Sequence, residues 1–162
     1  MQIKKDNLGL VLQLADRNFL LNPSQVRTKE NYTLIFSQYN EKINYDQIFA
    51  SPGEYNVGEV FIYSFLNKNN QLTHLFESDE GFLIFSNVSP EAESFKKIKE
   101  ITSKIEALIF LDKNLPEELI KKFEIKNIIT DHNLNYSNFQ KNKGKSFKIN
   151  LKRSENQIYI LE

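Results

Sequence analysis

Short apolar runs broken by turn-forming residues dominate the first half of the chain, the spacing expected of a sheet. Residues 8–14 and 17–22 read as two strands joined at Ala15 and Asp16 and closed by Pro23, which cannot continue a central ladder. YTLIFS (32–37) is aromatic and β-branched, as a buried strand should be. Residues 57–65, 72–76 and 81–86 continue as strands, with turns at 67–71 and 78–80. The pattern then changes to helix and strand in alternation. Ser89 and Pro90 predict a helix start, with Ser89 as N-cap, and Phe95, Ile98, Ile101 and Ile105 recur at helical spacing. A strand at 107–111, a helix at 115–123 begun by Pro116, and a strand at 125–130 follow, and 146–151 with 157–161 predict a closing hairpin.

Composition narrows the class. With 162 residues, 40% of them hydrophobic and 12% aromatic, the chain is expected to fold as one globular domain spanning 1–162. Its longest apolar run, 107–111, is far below the ~20 residues of a membrane span, and 1–15 lacks a signal-peptide pattern, so a soluble cytoplasmic protein is expected. The absence of cysteine excludes disulfides, thiolate nucleophiles and Cys-based zinc sites, and only His74 and His132 supply imidazole. Twenty-one basic residues balance twenty-one acidic ones, leaving no net field to gather nucleic acid. The acid-free stretch KNKGKSFKINLKR, running from Lys141 to Arg153, reads as a solvated hairpin and lacks a nucleic-acid motif.

SPGEYNVGEVFI, residues 51–62, concentrates two of the five glycines and one of the four prolines. This stretch resembles a glycine-containing segment of compact metallo-β-lactamase-fold hydrolases. LLNP (20–23) is similar to the motif that ends their opening hairpin, and YTLIFS resembles the strand leading into their first metal motif. EGFLIFSN (80–87) and NIITDHN (127–133) resemble two later strands that end in metal ligands. The resemblance implies an α+β fold, an αββα sandwich of two mixed sheets with outer helices. The first sheet is expected to hold 8–22, 32–37 and 57–86, and the second 107–111 and 125–130, with helices 91–103 and 116–123 outside.

The same resemblance places the family's metal ligands on particular residues. Its H-x-H-x-D-H loop falls on Gln38, Asn40, Lys42 and Ile43, and its bridging aspartate on Asn87. Neutral amides are poor zinc ligands, and Lys42 would bring an ammonium to a cation site. Only His132, beside Asp131, keeps a ligand type. No metal or other cofactor is therefore expected.

Other constellations carry less. Asp131 and His132 form a possible acid–base pair, but no serine is marked as their nucleophile. His74 is expected as an exposed cross-strand residue, and Glu54 and Glu59 as solvated carboxylates. Tyr32, Tyr39, Tyr45 and Tyr55, with Phe36 and Phe49, cluster around the would-be metal loop. Tyr39, Tyr45 and Tyr55 are candidates for a partner-binding rim. The resulting expectation is a non-catalytic binding or assembly module that engages a protein partner, itself or a small ligand in the vacated cleft. The alternative is a hydrolase of phosphoester or lactone bonds working through Asp131 and His132 without metal or with an atypical one.

Overall fold

The computed structural model describes residues 1–25, 31–41, 48–134, 136–152 and 155–162. In chain order the strands are β1 (Gln2–Asp6), β2 (Gly9–Leu14), β3 (Arg17–Leu21), β4 (Thr33–Ile35), β5 (Ile48–Phe49), β6 (Gly53–Val57), β7 (Val60–Leu66), β8 (Leu72–Ser78) and β9 (Gly81–Ser86). Helix α1 (Ala92–Ile101), β10 (Ala107–Phe110), helix α2 (Glu117–Lys122), β11 (Asn127–Thr130), β12 (Gln140–Gly144), β13 (Ser146–Lys148) and β14 (Gln157–Leu161) complete the chain. Sheet one has the order β13-β1-β2-β3-β4-β5, and sheet two the order β12-β14-β11-β10-β9-β8-β7-β6. Both are mixed: β3, β4 and β5 are parallel in the first, while the second changes from an antiparallel meander to parallel strands at β9.

Burial explains the layering. Leu12, Phe19 and Ile35 of sheet one meet Ile62, Phe76, Phe85, Ile109 and Ile129 of sheet two in the main core. The other face of sheet two buries Leu75, Ile84, Leu108 and Ile128 against Ile98 of α1 and Leu119 and Ile120 of α2. Strands β10 and β11 are buried at every position because both faces are covered, which is why they read as unbroken apolar runs. Among the described residues both helices pack on sheet two, and no helix is long and apolar enough to cross a membrane.

Several expectations need correction. Strands 57–86 do not join the opening hairpin: β6 to β9 follow one another through short turns, and β9 pairs in parallel with β10 across α1, so the whole meander belongs to sheet two. The tail is not a hairpin either. β13 pairs with β1, whereas β14 inserts between β11 and β12. The buried Ile149 and Leu151 lie between these two strands and join the main core. Helix α1 starts later than Ser89, with Glu91 at its N-cap, because the Glu91 N–H is captured by Asn67 Oδ1 at 3.0 Å. Helix α2 likewise takes Pro116 as its cap and ends one residue before Phe123. The polar strands β1 and β12 carry no clear sequence pattern.

Gly58 explains part of the glycine-rich stretch. It occupies the first position of the two-residue loop between β6 and β7 with φ +66, the sign that a tight hairpin requires and that a β-carbon penalises. The segment before it is the edge strand β6, not a loop.

Candidate functional site

The ends of β4 and β9 meet across the two sheets. Ser37, just after β4, accepts a hydrogen bond on Oγ from Asn87 Nδ2 at 2.8 Å, and its carbonyl accepts from the Leu72 N–H at 2.6 Å. Asn22 Oδ1 fixes the Ser37 N–H at 2.8 Å. Farther along, Gln38 forms an isolated bridge with Gln71, and the Tyr39 N–H donates to the Asn70 carbonyl at 2.7 Å. Sheet one is thus stapled to the loop between β7 and β8 by neutral hydrogen bonds, residue after residue.

His74 completes the closure. It is fully buried, in contrast to the exposed position its sequence context suggests. Its neighbours explain the difference: Ser64 lies opposite on β7 with Oγ 2.7 Å from Nδ1, Phe85 stacks at 5.9 Å, and Nε2 lies 2.7 Å from the Phe36 carbonyl. Burial lowers the imidazole pKa from 6.5 to about 4, against a smaller opposing effect of the Phe36 carbonyl. Ser64 and His74 resemble a nucleophile–base pair in distance alone. Ser64 is only 5% exposed and His74 not at all, so neither meets a substrate.

A second polar group lies alongside. Asn67 Nδ2 donates to Thr73 Oγ1 at 3.0 Å, Thr73 lies 2.8 Å from Ser86 Oγ, and Ser86 donates to the Val88 carbonyl at 2.7 Å. With Asn67 also holding Glu91, this chain fixes the start of α1 against the strand ends. Sequence reasoning missed Ser64, Asn67 and Thr73. The available signal was a set of small polar residues within otherwise apolar strands, which commonly marks a satisfied buried network.

At the predicted ligand positions the described residues are engaged or exposed as neutral amides. Gln38 and Asn40 are exposed, and the Asn40 N–H donates to the Ala50 carbonyl at 2.8 Å. Asn87 is committed to Ser37, although its Oδ1 is buried without a partner among the described residues. His132 is part-exposed, with Nε2 at 3.2 Å from the Leu111 carbonyl and 3.6 Å from Asp131 Oδ1. Lys42, Ile43 and Tyr45 lie outside the described residues. Among the described residues no three His, Asp or Glu side chains are grouped to hold one metal ion. Three amides and one imidazole do not match the anionic or imidazole set that offsets ion desolvation.

The remaining candidates separate. Tyr55 donates to the Ser51 carbonyl at 2.8 Å and stacks on Phe49 at 4.2 Å, so its ring and hydroxyl are used internally. Tyr39 is half-buried beside the β7–β8 loop, and Tyr32 is buried in a small cluster with Val11, Leu20 and Leu34 on the other face of sheet one. Glu54 and Glu59 are exposed. The basic stretch from Lys141 crosses from β12 to β13 and therefore from sheet two to sheet one, and Arg153 lies outside the described residues.

Neither the known protein families nor the curated proteins give a sequence match. In structure, the chain is similar to a crystal structure from Thermotoga maritima described as a candidate Zn-dependent hydrolase of the metallo-β-lactamase superfamily. The TM-score is 0.74 at 13% identity, and the match covers 99% of this chain and 98% of the other. Agreement over nearly both whole chains, with two mixed sheets in the anticipated sandwich, establishes the architecture: the chain has the metallo-β-lactamase fold, with residues at the anticipated ligand positions that do not fit a metal centre.

Proposed function

We propose that this protein is a non-catalytic metallo-β-lactamase-fold module that binds a protein partner through the closed rim of the former metal cleft. The observation that carries the reading is the Asn87–Ser37 hydrogen bond of 2.8 Å, which joins the two sheets where the resemblance places a bridging carboxylate. Gln38 and Tyr39 meet the loop between β7 and β8, and Leu66, which ends β7 just before that loop, is 44% exposed despite its size. An apolar side chain, a tyrosine and amides around one loop supply contact area with a polar surround, a composition suited to an interface core and its edge.

The test is affinity capture from the native cell, comparing the natural protein with a Tyr39→Ala/Leu66→Ala variant. A specific partner lost in the variant, with the thermal transition unchanged, is the expected result. Equal recovery by both proteins would overturn the rim assignment. Hydrolysis of phosphoester or lactone substrates that is abolished by His132→Ala would instead favour the enzymatic alternative.

A further inference from the structure

A polar cleft of about 510 Å³ opens at the other end of the strands from Ser37 and Asn87, where β3 and β4 begin with Arg17 and Thr33. We propose that it binds a small polyhydroxylated anion, a sugar carrying one phosphate or carboxylate group. Arg17 is the anchor. Among the described residues no carboxylate lies within ion-pair distance of its guanidinium, so the fork is available for an anionic group.

The guanidinium also has a seat. A β-carbon on Gly58 would stand 2.6 Å from Arg17 Nε and Nη2, so the side chain lies against the β6–β7 turn in space that only glycine leaves. Thr33, only 6% exposed, lines the same cleft, and its hydroxyl makes no hydrogen bond to another described residue.

The rest of the lining selects for hydroxyl groups. Asn18, Asn31 and Asn56 contribute carboxamides, each able to donate and to accept, and none is hydrogen-bonded through its side chain to another described residue. The Asp16 carboxylate adds an acceptor for ligand O–H groups, and Phe49 and Val57 supply an apolar wall for C–H surface. With Arg17 the one cation among the described lining residues and Asp16 beside it, the cleft matches one anionic group, whereas a run of phosphates would meet repulsion.

The experiment is an NMR titration of the ¹⁵N-labelled full chain with glucose 6-phosphate, ribose 5-phosphate, glucuronate, glucose and inorganic phosphate. Saturable shifts at the amides of Arg17, Asn18, Thr33 and Asn56 are expected with a sugar phosphate or with glucuronate, and the arm that binds identifies the anionic group. Glucose and inorganic phosphate should bind at least tenfold more weakly. Arg17→Gln should lose at least tenfold in affinity, and Asn56→Ala, an exposed change on an edge strand, severalfold. Absence of saturable shifts with all three sugar anions would overturn the proposal, as would unchanged affinity in the two variants or equal affinity for inorganic phosphate.

Discussion

The imidazole of His74 in β8 and the carbonyl of Phe36 just after β4 form a cross-sheet strut, with Nε2 and oxygen 2.7 Å apart. A carbonyl can only accept, so Nε2 carries the proton, and Nδ1 in turn accepts from the Ser64 hydroxyl. The neutral imidazole therefore satisfies both contacts with no charge to solvate. The strut fastens the two sheets near the same end as the Asn87–Ser37 bond.

That arrangement makes stability dependent on pH. Because His74 titrates near 6.5 when free and at about 4 in the folded protein, the unfolded chain binds the extra proton first as pH falls. Its contribution is fully present above about pH 6.5, declines through the window down to about pH 4, and then levels off. The total amounts to ~3 kcal/mol, at about 1.4 kcal/mol per pKa unit. Urea unfolding of the natural protein and His74→Gln across this window should show a shallower dependence in the variant. Parallel curves would remove His74 as the source.

At Asn87, restoring a carboxylate should harm the fold. The amide of Asn87 donates to Ser37 while its buried Oδ1 has no partner among the described residues. An ionised aspartate would lose the donor and place charge where acceptance is already unsatisfied. Asn87→Asp is expected to cost ~1–3 kcal/mol at neutral pH, more than Asn87→Ala, by chemical denaturation. A neutral or stabilising effect would mean that water or a cation already serves that oxygen.

Gly58 is constrained in two ways that can be separated. Its φ of +66 costs an L-residue ~1–2 kcal/mol, and an added β-carbon also meets the movable end of Arg17. Gly58→Ala should therefore destabilise the protein by at least ~1 kcal/mol, and Arg17→Ala should recover only part of that loss. Complete recovery in the double variant would show that contact, not backbone conformation, sets the cost.

The meander and the parallel strands were legible because their apolar runs are long and the turns between them polar, and the glycine-rich stretch pointed to the right fold. Sheet membership was not legible. It depends on which edge β9 offers to β10, a relation between residues far apart that local alternation does not encode. β1 and β12 were hidden because mostly exposed strands such as QIKKD lack an apolar stripe. At the site, the resemblance assigned the ligand positions, and the residue types there argued against a metal centre. The closure was not, since an isolated histidine in LTHLFES reads equally well as an exposed cross-strand residue, and only the placement of Ser64 and the Phe36 carbonyl makes it a buried one.

Zinc should not stabilise the natural protein. A ligand that binds only the folded state at a hundred times its Kd adds ~2.7 kcal/mol, which shifts the thermal transition of a chain this size by several degrees. The positions expected to coordinate instead offer exposed Gln38 and Asn40, an Asn87 amide engaged by Ser37, and His132 tied to the Leu111 carbonyl. Neutral amides do not recover the cost of stripping water from a divalent ion, and one imidazole gives too little affinity to register. Calorimetric scans with and without equimolar to tenfold zinc should coincide, and elemental analysis after dialysis should give well under one metal per chain. A rise of several degrees that His132→Ala abolishes would show that a site forms despite these substitutions, and would return the protein to the metallohydrolases.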